Sequence, residues 1–170
     1  IRKTAYQRLN PKSNRQSERV ERLNKIEKGL VTGDVARGKA VFFAQRAACS
    51  ACHRVSGEGG AIGPDLSTIA RVRTRRDLLE SVVDPGTTIA NGFETYAVLT
   101  TEGRALEGVI QRATARAIVL RNTQRGETIV SRDEIQQLSR QTSSIMPDGL
   151  DRALTPQQLS DLLAFLVSLR

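Results

Sequence analysis

The sequence is poor in the residue types that most often bind metals or build aromatic cores. Its 170 residues include one His, two Cys, one Met, two Tyr, four Phe and no Trp. A structural zinc site needs four ligands, and two Cys with one His do not complete a Cys/His set. No apolar run approaches the roughly 20 residues that span a membrane as a helix. The hydrophobic fraction of 39% can fill a core, but one with little aromatic surface.

Positive charge is concentrated at the N-terminal end of the chain. The formal net charge is +8 at pH 7. Residues 1–28 hold nine Lys or Arg against three acids, whereas residues 29–170 hold 17 against 15. The basic segment has Tyr6 as its only aromatic residue and matches no nucleic-acid recognition motif. We therefore expect no nucleic-acid partner, although the charge alone would favour one.

Two regions are predicted, a basic linker with one helix at 1–32 and a folded domain at 33–170. Residues 1–14 are polar and contain Pro11, which favours a linker. A helix near 15–30 follows from apolar residues at helical spacing, namely Val20, Leu23, Ile26 and Leu30. No signal-peptide segment follows Ile1, so we expect a processed protein or a piece of a longer one.

Three helices of the folded domain are predicted from their N-caps, which accept hydrogen bonds from the first turn. These caps are Asp34 before a helix near 35–46, Thr74 with Asp77 before a helix near 75–83, and Thr155 with Pro156 and Gln158 before the last helix. Residues 93–130 alternate apolar and polar side chains between turns, which predicts a four-stranded antiparallel meander. A short helix is expected at 131–140.

The segment Cys49-Ser50-Ala51-Cys52-His53 is the C-x-x-C-H motif of covalent haem attachment. Two thiols on one turn add across the two vinyl groups of the porphyrin, and the imidazole then lies under the iron as proximal ligand. A thioredoxin-like motif would instead follow a strand in a βαβ unit, and a disulfide over this spacing would be strained. The sequence therefore predicts one covalent haem c on Cys49, Cys52 and His53, followed by a Gly-rich loop at 56–63.

Met146 is the only methionine and the predicted distal iron ligand. The following Pro147 stiffens the loop and removes a backbone donor, which suits a thioether held at a fixed point. No further His, Cys or Met is left to complete the coordination of the iron. The alternative use of Met146 is to fill a gap in the core.

These motifs together resemble a class I cytochrome c. More narrowly, the chain is similar to the haem-binding domain at the C-terminal end of large planctomycete and verrucomicrobial proteins, often behind a dehydrogenase-like domain. The matching stretches cover roughly residues 33–170. They are GDVARGKAVF, CSACH, GPDL, LLESVVDP, NGFETY, SSIMPDGL and LSDLLAFL.

The resemblance implies a mainly α, class I cytochrome c fold with the β-meander 93–130 inserted before the distal methionine loop. It implies that the Pro64 carbonyl accepts a hydrogen bond from Nδ1–H of His53, which fixes the ring. It also implies that the first and last helices of the domain cross closely. The residues at that crossing would be Gly38, Phe42 and Phe165.

The expected function is electron transfer, because two filled axial positions let the iron change oxidation state with little rearrangement. No combination of residues typical of a catalytic site occurs near these motifs, so we expect an electron carrier rather than an enzyme. Its expected location is the periplasm or another extracytoplasmic space. Its expected partners are redox proteins, including a dehydrogenase domain upstream in the same chain. Two alternatives stay open: a haem peroxidase or gas sensor with a displaceable Met146, and a docking role for the meander.

Overall fold

The computed structural model describes residues 11–124 and 126–170, with side chains from Gln16 onward. The helices are α1 (Pro11–Lys28), α2 (Val35–Phe43), α3 (Cys49–Cys52), α4 (Arg75–Val83), α5 (Leu150–Ala153) and α6 (Pro156–Ser168). The strands are β1 (Arg54–Val55), β2 (Glu58–Gly59), β3 (Thr95–Thr100), β4 (Ala105–Ala113), β5 (Ala117–Asn122), β6 (Gly126–Ser131) and β7 (Ile135–Arg140). Of the predicted linker at 1–14, only residues 11–14 lie within the described part of the chain.

Helices α2 and α6 cross at Gly38. A Cβ on Gly38 would lie 1.9 Å from the carbonyl oxygen of Asp161 and 2.7 Å from Cβ of Phe165. The buried rings of Phe42 and Phe165 are 5.6 Å apart between centroids. Since only a residue without a side chain lets the two backbones come this near, the predicted crossing of the first and last domain helices is confirmed.

Asp161 on α6 ties the crossing together. Its buried carboxylate accepts hydrogen bonds from the backbone N of Asp34 at 2.7 Å, from Nε and Nη2 of Arg37 at 2.9 Å each, and from Gln157 Nε2 at 2.9 Å. The bond from Arg37 is the largest cause that holds the pKa of Asp161 well below its usual range. The network therefore stabilises the fold above the unfolded-state pKa, and this contribution is lost as the pH falls toward the folded-state pKa.

Helix α1 packs onto the rest of the domain. Leu23 is buried in the same hydrophobic core as α4 and α6. Three ion pairs join α1 to its neighbours: Arg19 with Asp84, Arg22 with Asp151, and Glu27 with Arg76. The region predicted as a basic linker and helix is thus, over α1, part of the packed structure.

Two predicted helix boundaries are wrong by a few residues. Helix α1 spans Pro11–Lys28, so it already includes residues before 15. Helix α2 ends at Phe43 rather than near residue 46, because the next residue, Ala44, has an extended backbone and caps the helix. The capping boxes of α4 (Thr74 with Asp77) and α6 (Thr155 with Gln158) are confirmed.

The predicted four-stranded meander is a five-stranded antiparallel sheet of order β6-β5-β4-β3-β7. The prediction of a short helix at 131–140 is wrong. Ser131 and Glu134 do form a capping box, but only for a single 3-10 turn, and the next residues pair with β3 as β7. The fold therefore combines helices with a β-sheet region, 38% helix and 24% strand. The sheet has its own core of Val98, Leu106, Ile118, Leu120 and Val130.

The chain enters and leaves this sheet at one point. Strands β3 and β7 are neighbours, and Tyr96 stands opposite Arg140. The backbone N of Gln141 donates to the carbonyl of Thr95 at 2.8 Å, directly beyond the last strand pair. The residues before and after the sheet are therefore held side by side.

No helix within the described residues combines the length and the apolar character that crossing a membrane requires.

Gly38→Ala is expected to lower the free energy of unfolding by about 2 kcal/mol, because the added methyl group overlaps the α6 backbone and opens the crossing. Urea unfolding followed by circular dichroism measures this change. Gly86→Ala is the matched control, since nothing lies within 4 Å of a Cβ there, and should change stability by less than about 0.5 kcal/mol. Equal stabilities of the two variants would contradict the tight crossing.

Candidate haem site

The two cysteines lie on the single turn of α3. The backbone N of His53 donates to the Cys49 carbonyl at 2.9 Å and closes the turn, and His53 itself is extended. Both cysteines are free thiols and half-buried. Two reduced sulfurs on one turn, followed directly by the imidazole, are what thioether formation with a porphyrin requires.

The thiols are not activated as thiolates. Burial raises the pKa of Cys49 to about 11 and also raises the pKa of Cys52. In redox-active C-x-x-C motifs, by contrast, the environment lowers the pKa of the attacking thiol. Burial thus shifts the pKa of both thiols in the direction opposite to that found in a dithiol oxidoreductase.

Pro64 fixes the imidazole of His53. The carbonyl oxygen of Pro64 lies 2.9 Å from Nδ1 of His53. A carbonyl can only accept, so Nδ1 carries the proton and donates it. Burial lowers the pKa of His53, while the bond to Pro64 acts in the opposite direction. A neutral ring with Nδ1–H bound in this way leaves Nε2 with a lone pair for a metal ion.

The Gly-rich loop wraps around α3 and the imidazole. The backbone N of Gly60 donates to the Ser50 carbonyl at 2.8 Å, and that of Gly63 donates to the Cys52 carbonyl at 2.9 Å. A Cβ on Gly60 would lie 2.1 Å from the Ala51 carbonyl oxygen, and one on Gly63 would lie 2.5 Å from Cε1 of His53. Sequence reasoning noted the loop but gave these two glycines no role; their place just after C-x-x-C-H was the available signal.

Arg121 of the sheet forms a hydrogen bond to this loop. Nη1 of Arg121 on β5 donates to the carbonyl of Ala61 at 3.4 Å. The same guanidinium pairs with Glu127 on the neighbouring strand β6. Arg121 thus joins the sheet to the loop that surrounds His53.

Met146 comes from a separate segment, residues 141–149, between β7 and α5. It is half-buried, and its backbone N donates to Oγ of Ser144 at 3.1 Å. The structure thus assembles Cys49, Cys52, His53 and Pro64 as one unit, whereas the ligand role of Met146 stays a prediction.

The residues present fit covalent haem. Two free thiols share a turn, the bond to Pro64 leaves Nε2 of the imidazole unprotonated, and Gly63 has no side chain to displace the ring. Within residues 11–124 and 126–170, no group of three or more His, Cys, Asp and Glu is placed to hold a metal ion.

Comparison with known families supports the same cofactor. Residues 35–97 match the family model described as Cytochrome c, a span that runs from α2 through the C-x-x-C-H motif to the start of β3. No curated protein is significantly similar to the chain. Over residues 35–97 the chain is thus similar to cytochrome c, a family of haem-binding electron-transfer domains whose cofactor is covalently attached haem c.

Gly63→Ala is expected to reduce the yield of haem-loaded protein several-fold, because the new methyl group displaces the imidazole and breaks its bond to Pro64. The measurement is covalent haem per polypeptide after production with a cytochrome c maturation system. Gly86→Ala, which adds a methyl group in open space, should load as the wild type does. Normal loading and an unchanged absorption spectrum in Gly63→Ala would refute the close contact.

Proposed function

We propose that this cytochrome c domain is an electron carrier whose haem iron is bound by His53 and Met146. When bound, the haem supplies a one-electron iron couple. The observation that carries the proposal is the hydrogen bond from Nδ1 of His53 to the Pro64 carbonyl at 2.9 Å. That bond selects the tautomer, orients the ring and makes Nε2 a stronger donor. Cys49 and Cys52 hold the porphyrin by thioether bonds.

Met146 is the proposed distal ligand for two reasons. It is the only sulfur or imidazole ligand left in the chain once the C-x-x-C-H motif is used. Met146 also lies in a segment that is attached at both ends. At one end the backbone N of Gln141 donates to the Thr95 carbonyl, and just beyond the other end Arg22 binds Asp151. A thioether ligand favours the ferrous state and raises the reduction potential, as suits an electron carrier.

We further propose that the sheet is inserted into the cytochrome c domain. The adjacency of Thr95 and Gln141 supports this, because removal of the residues between them leaves two chain ends within hydrogen-bond distance. The proposed insertion now includes β7, so it extends beyond the predicted 93–130 to about residue 140. The hydrogen bond from Arg121 to the Ala61 carbonyl holds the inserted sheet beside the Gly-rich loop at 56–63.

The proposed partners are redox proteins, with a dehydrogenase domain upstream in the same chain as electron donor and an extracytoplasmic location. The resemblance to C-terminal haem domains supports this arrangement. The docking of α1 supports it too, because Arg19 and Arg22 are paired with Asp84 and Asp151. Basic side chains paired within the domain contribute less to steering a separate acidic protein, and a tethered donor acts by effective concentration instead.

Covalent attachment is the first test. The protein made with a cytochrome c maturation system should keep its haem after denaturation and acid–organic extraction, with a mass one haem above the polypeptide. Cys49→Ala should retain haem through one thioether, and the double variant of Cys49 and Cys52 should retain none. Clean extraction of haem from the wild type would overturn the proposal.

Met146→Ala tests the distal ligand. Loss of the thioether should lower the midpoint potential and allow carbon monoxide to bind the ferrous protein. Potentiometry and carbon monoxide difference spectra measure the two effects. A variant indistinguishable from the wild type would assign Met146 to packing. Avid carbon monoxide binding by the wild type would favour a peroxidase or gas sensor instead.

A further inference from the structure

Helix α1 holds the segment that follows Met146. On α1, Nη2 of Arg22 lies 2.9 Å from Oδ1 and 2.8 Å from Oδ2 of Asp151, and Nη1 donates to the Val83 carbonyl at 3.3 Å. Asp151 belongs to α5, five residues after Met146. Its side chain is 7% exposed, against 43% for Arg22. An arginine that reaches out from α1 therefore satisfies an almost buried carboxylate.

The position of α5 depends on such contacts. A helix of four residues cannot be stable alone, because helix formation begins with a costly nucleus. Gly149, which precedes it, has φ 85°, so the chain turns sharply between Pro147 and α5. Leu150 and Leu154 pack against the main core, and Asp151 adds the charged contact to α1. Without Arg22, the Asp151 carboxylate would be left uncompensated, and α5 would have to move to hydrate it.

The opposite end of the Met146 segment is fixed by the sheet. There the backbone N of Gln141 donates to the Thr95 carbonyl at 2.8 Å. Residues 141–149 therefore run between two attachment points, one on β3 and one on α1 through α5. We therefore expect the position of the Met146 sulfur to depend on both attachments.

We propose that Arg22 is a positioning residue that keeps Met146 on the iron by binding Asp151. The inference rests on the proposed ligation of the iron by Met146. The proposal gives α1 a role at the redox centre, although α1 lies outside the stretch that matches the cytochrome c family. Displacement of α1 would release α5 and weaken the distal bond.

The test compares Arg22→Gln with Arg19→Gln in the haem-loaded protein. Both variants remove one positive charge and one ion pair from α1, but Arg19 pairs with Asp84 beyond the end of α4 and not with the Met146 segment. Arg22→Gln should raise the rate of carbon monoxide binding by about tenfold and weaken the ferric Met-to-iron charge-transfer band. It should also speed amide hydrogen exchange in residues 141–153, whereas Arg19→Gln should leave all three near wild type.

Asp151→Asn supplies the second arm, because an asparagine keeps an oxygen for Arg22 and disturbs the fold less. If the pair acts as a unit, the double variant of Arg22 and Asp151 should be no worse than Arg22→Gln alone. A Met-to-iron charge-transfer band in the wild type would support Met146 as ligand. Equal effects of Arg22→Gln and Arg19→Gln, or no effect of either, would then overturn the role of Arg22 alone. A wild type without that band would overturn the ligation and this inference together.

Discussion

Helix α2 and the residues just before it lie so close to α6 that no side chain is tolerated at two positions. A Cβ on Gly33 would lie 2.1 Å from the Ser160 carbonyl oxygen, and one on Gly38 would lie 1.9 Å from that of Asp161. Asp161 then binds the first turn of α2 through Asp34 and Arg37. The haem motif follows α2 along the chain, so this contact fixes where α3 and His53 stand. The rest of the core, including Leu23 of α1, packs around the same pair.

The parts of the structure that the sequence predicted correctly depend on neighbouring residues. The caps at Asp34, Thr74 and Thr155 are bonds across three residues, and each is visible in the printed sequence. The C-x-x-C-H motif occupies one turn. The crossing at Gly38 is a distant contact, and it was predicted only through the resemblance to a family. Sequence rules that concern neighbouring residues do not predict this crossing.

The failures come from contacts between distant residues. A short helix was expected at 131–140, but Ser131 and Glu134 cap only one 3-10 turn before the chain pairs with β3 as β7. Pro11 indicated a linker, yet burial of Leu23 and the ion pairs of α1 stabilise a helix that includes it. The same two elements, β7 and α1, hold the ends of the Met146 segment. The sequence therefore did not predict the surroundings of Met146, the proposed distal ligand.

The Asp161 network also bears on the order in which the protein is assembled. Asp34 and Asp161 are 127 residues apart in the chain, so the partner of α2 is made long after α2 itself. Contacts of such separation form late, because the intervening chain must first be closed into a loop. Strands β3 to β6 pair as successive hairpins and need no such wait. During synthesis α2 therefore stays without its packing partner until α6 has been made, whereas the hairpins of the sheet can already pair.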